Sequence, residues 1–222
     1  MRFLRLTLIT LVFTGLYNLA HGQEFIKDNQ GRVMMIQKYT DVQGTPFLSD
    51  NWTKAIVRLK ANGNFSNMQV KYDLVEDQLL FRDAKSDQPM EFIDQVLEFK
   101  LVADDGSSTV YKKGFKASDG NTSNNFYQVL YDGGTQLLKR KVKKVIEDRP
   151  YNSAVTVKTF NEVETYYIAK ANEPLKIKKD KKQILTALAD HAAELEKYIQ
   201  ENKLNVKDDE DLIKLIAYYN TL

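Results

Sequence analysis

Few residues of this 222-residue chain could do nucleophilic or metal chemistry. The chain has no cysteine and two histidines, His21 and His191. A Ser-His-Asp or Cys-His site needs a histidine that an acidic partner orients in a pocket, and a zinc site here would need carboxylates for most of its ligands. His191 lies beside Ala192 and Ala193 in a predicted helix, so we interpret it as a surface or interhelical residue. We expect no metal ion and no cofactor.

Paired carboxylates are the remaining candidates for acid–base catalysis. Three pairs lie close together in sequence: Glu76 with Asp77, Asp104 with Asp105, and Glu162 with Glu164. Glycosidase acids meet only in the folded protein, about 5–10 Å apart, so sequence spacing does not exclude such a pair. Solvated turns and outward strand faces are the ordinary positions of acidic residues. A carboxylate-dependent glycan or peptidoglycan hydrolase is therefore the alternative function.

One segment of the chain is strongly basic. Five cations fall within six positions: Lys139, Arg140, Lys141, Lys143 and Lys144. The segment between Asp190 and Asp211 is rich in acidic residues instead. A basic strand of this kind could bind an acidic partner or an anionic envelope surface, or it could be solvated or face the acidic helices of the same chain. We take the five cations as candidate partner-binding residues.

Trp52 is the single tryptophan of the chain and precedes a predicted strand. An exposed tryptophan could stack on a sugar ring or anchor a partner protein. A lone large aromatic residue also packs readily in a β core. Trp52 is therefore a further candidate partner-binding residue.

The elements that must position these residues are mostly strands, from about Val33 to Lys179. Apolar and charged residues alternate with the two-residue period of half-buried strands, as in Val96–Val102. Asn62-Gly63 suits a tight hairpin turn between two such runs. Short turns without intervening helices favour antiparallel pairing. The fold class is mainly β, and the pattern leaves open whether the sheet is a sandwich, a barrel or a meander.

The last part of the chain has a helical period. Asp180 is a plausible N-cap with Gln183 as its capping-box partner. An apolar stripe along one helix follows: Leu185, Leu188, Ala192, Leu195 and Ile199. Asp208 or Asp209 begins a further helix, so we expect two or three short C-terminal α-helices. Helices this short are marginal alone, and we expect residues 180–222 to pack on the β domain of residues 23–179 or on a partner.

The first residues read as a cleaved signal peptide over positions 1–22. Arg2 and Arg5 precede an apolar run, and Ala20-His21-Gly22 places small residues at a cleavage site. The run is too short to favour a membrane span, so we expect no transmembrane span after cleavage. The whole chain has 32 basic and 30 acidic residues, so losing Arg2 and Arg5 removes the net charge. A neutral, exported chain is a poor candidate for binding nucleic acid.

Several segments together resemble a family of uncharacterised exported bacterial proteins that are β-rich with a helical C-terminus. The segments are residues 44–48, 50–52, 70–73, 77–81 and 218–222. The resemblance implies a location in the periplasm or cell envelope, and it implies no active site.

These observations favour a non-catalytic exported protein that binds a protein or an envelope component. The binding surface would be an exposed sheet face or the C-terminal helices. Location in the periplasm or envelope fits the missing cysteines, although an extracellular location is also compatible. The identity of the partner and the oligomeric state are left open by the sequence.

Overall fold

A computed structural model describes residues Phe25–Lys27, Val33–Met35, 39–61, 63–84, 87–149 and 156–222. The predicted signal peptide and Asn62 of the predicted hairpin turn lie outside the described residues. The described part is mainly β, with three α-helices at the C-terminal end, which confirms the predicted fold class. Among the described helices, none has the length and apolar character needed to cross a membrane.

The strands form one small and one large sheet. Their bounds are β1 Phe25–Lys27, β2 Val33–Met35, β3 Val42–Gln43, β4 Thr53–Leu59, β5 Gly63–Asp73, β6 Gln78–Arg82, β7 Pro89–Glu91, β8 Val96–Val102, β9 Ser108–Lys112, β10 Tyr127–Tyr131, β11 Thr135–Asp148, β12 Val157–Lys170 and β13 Glu173–Ile177. β1 and β2 pair with each other, and the other eleven strands form the large sheet.

The large sheet consists of two meanders placed side by side. Its strand order is β13-β12-β11-β10-β9-β8-β4-β5-β6-β7, with β3 paired to β12. The first meander is β4–β7, the second is β8–β13, and the antiparallel pairing of β4 with β8 joins them. The antiparallel prediction is confirmed for every pair of the large sheet except the parallel contact of β3 with β12. Of the three forms left open by the sequence, the described strands adopt an open sheet.

The core of the first meander is aromatic and continues into the second. Phe99 of β8 is fully buried and stacks on Tyr111 of β9, with ring centroids 4.7 Å apart. Tyr72 of β5 and Phe126, just before β10, meet these rings edge to face. Edge-to-face pairs of this kind place the positive ring edge against a negative ring face. The aromatic cluster therefore packs both meanders into one core.

β11 and β12 form the longest hairpin of the sheet. They pair over fourteen residues, from Thr135 opposite Lys170 to Asp148 opposite Val157. β10 and β13 pair only with the half of this hairpin nearest the helices. We call the other half, residues 141–148 and 157–164, the ribbon. Among the described strands, only β3 pairs with the ribbon.

The helices are α1 Lys181–Ala187, α2 Ala192–Glu201 and α3 Asp209–Tyr219, with a 3₁₀ turn at Ala189–His191. Asp180 caps α1 as predicted, since its carboxylate accepts a hydrogen bond from the backbone N of Gln183. The prediction of one continuous helix from Leu185 to Ile199 was wrong, although Leu185, Leu188, Leu195 and Ile199 do pack in one cluster. Leu188 leaves the helical region at φ −119°, ψ 41°, and its fully buried side chain fills the core at this break.

The helices pack on the second meander. Their buried residues form one cluster with the strand residues Leu137, Tyr166, Ile168 and Ile177. α3 begins at its N-cap Asp208, whose carboxylate accepts hydrogen bonds from the backbone N of Glu210 and Asp211. Because this start lies close to β11, the acidic first turn of α3 meets the basic strand of the sheet.

Candidate partner-binding surface

The five cations of the basic segment all lie on β11, but they do not form one surface. Successive side chains of a strand point to opposite faces, so Lys139 and Arg140 leave β11 on opposite sides. Lys139 lies in one row across the sheet with Gln128 of β10 and Tyr166 of β12. The five cations therefore contact different parts of the chain.

Lys139 is buried and holds the first residue of α3. Its Nζ lies 2.6 Å from the Asp209 carboxylate, which also accepts from Lys179 Nζ at 2.7 Å and from Tyr166 Oη at 2.9 Å. Burial would raise the pKa of Asp209, but these three donors outweigh it and lower the pKa to about 2. We call Asp209 with its three donors the latch. It joins the acidic helix to the basic strand within one chain.

Lys141 and Lys143 contact oxygen atoms of β12 and of the chain before β4. Lys141 Nζ lies 2.7 Å from Glu164 and 3.2 Å from Glu162. Burial opposes ionisation of Glu164, but the hydrogen bond from Lys141 gives a lowered pKa overall. Lys143 Nζ donates to the carbonyl oxygens of Thr45 and Phe47 at 3.0 and 2.7 Å. These two lysines stabilise the fold locally.

Arg140 forms a buried ion pair with Asp77, and each side chain is only 10% exposed. Asp77 lies in the turn between β5 and β6 at φ 56°, a left-handed conformation that Asp tolerates. Its carboxylate accepts hydrogen bonds from Tyr72 Oη, Asn125 Nδ2 (2.7 Å), Phe126 N (3.3 Å) and Arg140 Nη2 (3.1 Å). Arg140 Nε donates in addition to Asn121 at 2.8 Å. The pair thus joins the first meander to the second.

Lys144 differs from the other four cations. It is exposed, and within the described part of the chain its side chain has no hydrogen bond or ion pair. On this face of the ribbon the terminal pair, Asp148 with Val157, is preceded by three directly opposed pairs that comprise six residues: Val142 with Val163, Lys144 with Asn161, and Ile146 with Thr159. Val163 and Ile146 are 37% and 45% exposed. We call these six residues the ribbon face.

The opposite face of the ribbon is partly covered by the chain before β4. The ring of Tyr39 meets Phe160 edge to face at 5.4 Å. Lys158 Nζ lies 2.6 Å from the Asp41 carboxylate on the same side. These contacts fix the orientation of the ribbon, so the ribbon face with Lys144 is presented on an ordered support.

Trp52 lies on the first meander, just before β4. It is half-buried, outside the aromatic core, and Lys71 Nζ lies 5.1 Å from the centroid of its ring. The Arg82 guanidinium lies 6.0 Å from the same ring. Its cationic neighbours therefore belong to β5 and β6, where cation–π attraction orients the indole.

An open groove of about 680 Å³ lies between α1 and α2. It is lined by Asp180, Lys181, Lys182, Leu185, Thr186, Ala189, Ala192 and Glu196. Its two carboxylates have structural partners, because Asp180 caps α1 and Glu196 lies 2.7 Å from Lys181. The six acidic residues proposed as catalytic pairs from the sequence do not line this groove.

The remaining candidates for chemistry have ordinary surroundings. His191 Nδ1 lies 3.9 Å from Glu194, and its ring meets Tyr219 edge to face, as expected for an interhelical residue. Asp105 accepts a hydrogen bond from the backbone N of Ser107 in its own turn. Within the described ranges, no group of three His, Cys, Asp or Glu residues could hold a metal ion.

No family model, no curated protein and no solved structure matches the chain. Sequence reasoning missed Asp77 and Asp209 as the partners of the basic strand, and the only available signal was their position next to predicted turns and caps.

The buried ion pair yields a stability prediction with a matched control on the same strand. Arg140→Ala leaves the Asp77 carboxylate buried without its countercharge, so the free energy of unfolding should fall by about 3–5 kcal/mol. Lys144→Ala removes an equal charge from an exposed position and should change it by less than about 0.5 kcal/mol. Urea unfolding, followed by the fluorescence of the single tryptophan, measures both. Equal effects of the two substitutions would contradict the assignment.

The latch yields a prediction about pH. The pKa of Asp209 in the folded protein is about 2, below its ordinary value of 3.8. The ionised carboxylate therefore makes its full contribution to the free energy of unfolding above about pH 4, and this contribution is lost as the pH falls towards 2. Asp209→Asn should lower the free energy of unfolding at pH 7 by about 1–2 kcal/mol, since the site is partly solvated. The difference from the unmodified protein should shrink as the pH is lowered through this window.

Glu210→Gln is the control for this experiment, because it removes a charge from the same exposed first turn of α3. Its effect at pH 7 should stay within about 0.5 kcal/mol. Urea unfolding at a series of pH values gives both curves. A pH-independent effect of Asp209→Asn would show that the ionised carboxylate does not stabilise the folded state.

Proposed function

We propose that this is a non-catalytic exported protein of the periplasm or cell envelope that binds a partner protein through the ribbon face. The observation that carries the proposal is the exposure of Val163 and Ile146 beside Lys144. Lys144 is the one cation of the basic strand without a partner among the described residues. The other four cations serve contacts within the fold.

The ribbon face has the physical character of a protein-binding surface. Burying the exposed β-branched side chains against a partner would gain about 25 cal/mol for each Å² of apolar surface removed from water. Lys144 lies between Val163 and Ile146 on the same face, so it would favour a partner with a carboxylate next to an apolar patch. The opposite face of the ribbon is held by Tyr39 and Asp41, which limits the conformational entropy lost on binding.

Export is supported by the sequence of the first 22 residues. Arg2 and Arg5, the apolar run and the small residues before Gln23 follow the pattern of a signal peptide. The chain also has no cysteine, so its fold is independent of disulfide formation in an oxidising compartment. The closely packed aromatic and helical clusters provide the core that replaces disulfides.

The binding proposal predicts a loss of partner capture from substitutions on the ribbon face. The double variant Ile146→Asp, Val163→Asp should capture at least about tenfold less of its partner, since charges would be buried in an apolar contact. Pulldown from a bacterial envelope extract, quantified by mass spectrometry against the unmodified chain starting at Gln23, measures the loss. Circular dichroism should show an unchanged melting temperature.

Ile56→Asp is the control, because Ile56 is an exposed apolar residue on β4 with 40% exposure. It should retain the proteins that the unmodified chain captures. If both variants capture the same proteins as the unmodified chain, or if Ile56→Asp loses the same proteins, the ribbon face is not the binding surface.

The export proposal predicts a defined processed form. Expression of the whole chain in a bacterium should yield a periplasmic protein whose N-terminus is Gln23, as read by intact mass. Arg2→Glu with Arg5→Glu reverses the charge of the n-region and should leave uncleaved precursor in the cytoplasmic fraction. An unmodified chain that keeps Met1 and stays in the cytoplasm would overturn this part of the proposal.

A further inference from the structure

The edge of β11 within the ribbon has no neighbouring strand among the described residues beyond Lys143. The backbone N of Lys143 donates to the carbonyl oxygen of Leu74, on the side of β11 away from β12. Backbone groups of an antiparallel strand point to alternate sides, so the N–H and C=O groups of Val145 and Glu147 point to this side as well. No described residue forms a backbone hydrogen bond with them there. Residues 145–147 therefore present an open edge to which a strand can add.

The side chains at this edge are exposed and carry both signs of charge. Val145 and Ile146 are 39% and 45% exposed, and Lys144, Glu147 and Asp148 are exposed as well. Alternation places Lys144, Ile146 and Asp148 on one side of the strand, which is the side of the ribbon face. The side chains of Lys144 and Asp148 have no hydrogen bond or ion pair within the described ranges. An added strand would therefore meet a cation, an apolar residue and an anion in turn on this side.

This order of charges is complementary to itself in antiparallel pairing. When two copies of β11 pair about a twofold axis at Ile146, the two Ile146 side chains lie opposite each other, and Lys144 of each copy lies opposite Asp148 of the other. Opposite charges and apolar residues in directly opposed positions stabilise a sheet. At the edge, Val145 of each copy exchanges both backbone hydrogen bonds with Glu147 of the other. The open edge of one copy thus fits that of a second copy.

The neighbouring registers of such a pair are unfavourable. A pair centred on Val145 would need the backbone N of Lys143, which already donates to Leu74. A pair centred on Glu147 would place two carboxylates opposite each other, and directly opposed like charges are destabilising. A shift by half a step would place backbone groups that point to the edge opposite groups that point to β12. The register centred on Ile146 is therefore the one that the edge favours.

We propose that a second copy of this chain pairs with the open edge of β11 in an antiparallel register centred on Ile146. The twofold axis is perpendicular to the sheet, so the two ribbon faces lie side by side on one side of a combined sheet. This inference goes beyond the proposed function, because it names a second copy at the strand edge and leaves Val163 of both copies accessible to a partner protein. The paired segment is short, so the dimer should be weak, with a Kd on the order of 100 µM.

Two charge reversals test the register. Lys144→Asp and Asp148→Lys each place like charges opposite one another, so each variant alone should dimerise with a Kd at least about tenfold higher. An equal mixture of the two variants restores opposite charges at both positions, so it should form a heterodimer with a Kd close to that of the unmodified protein. Sedimentation velocity of the protein purified after expression of the whole chain, at about 10–500 µM, measures all four samples. An unmodified protein that stays monomeric up to about 500 µM, or a mixture that does not dimerise, overturns the proposal.

A proline substitution tests the strand edge without changing a charge. The N–H of Val145 points away from β12, so Val145→Pro keeps the pairing of β11 with β12 but removes a donor from the edge. It should raise the Kd of the dimer at least about tenfold, whereas the control Val145→Thr keeps the N–H and the branched shape and should leave the Kd unchanged. Equal effects of the two substitutions would overturn the proposal.

Dimerisation is measured on the purified chain without any partner, so its outcome is separate from that of the pulldown with the ribbon-face variant. If Val145→Pro lowers the capture of an envelope protein while the unmodified chain is monomeric, the edge accepts a strand of that protein. The assignment of a second copy to the edge would then be wrong, although partner binding through the ribbon would stand.

Discussion

The fold depends on the Arg140–Asp77 ion pair, because it connects two meanders that share a single strand pairing. β4 and β8 join the meanders along the sheet, and the pair joins them a second time through the turn after β5. The backbone N of Lys143 donates to the carbonyl of Leu74 in the same turn at 2.9 Å. This second connection lies beside the aromatic core, because Tyr72 donates to the same Asp77 carboxylate that Arg140 binds.

The same strand that holds the turn also holds the helices. Lys139 lies on the face of β11 opposite to that of Arg140 and binds Asp209 at the start of α3. Apolar residues of all three helices pack on the strands nearby. Opposite charges between the sheet and the helical end therefore act within one chain. Since both Lys139 of β11 and Tyr166 of β12 bond to the Asp209 carboxylate, the first turn of α3 is fixed to these two strands together.

Much of the fold follows from local sequence patterns, and the rest depends on distant pairings. Alternating residues identify the strands, and Asp180 and Asp208 mark helix starts because a capping carboxylate acts within three residues. The pairing of β4 with β8 joins segments separated by a whole meander, which no local pattern encodes. The end of α1 at Leu188 was missed because the apolar residues keep a helical spacing across the break.

The basic segment shows why a cluster of charges in sequence is a weak guide to a binding surface. Neighbouring side chains of a strand point to opposite faces. The five cations of β11 are therefore split between the two faces of the sheet and contact different partners. Lys139, Arg140 and Lys143 each contact a segment distant in sequence, and their partners were visible only in three dimensions. The charge that is left for a partner is Lys144, the last of the five cations along β11, whose side chain is exposed on the ribbon face. The ribbon face is exposed because β11 and β12 extend beyond their neighbours β10 and β13. The number of basic residues on β11 matters less for binding than this extension.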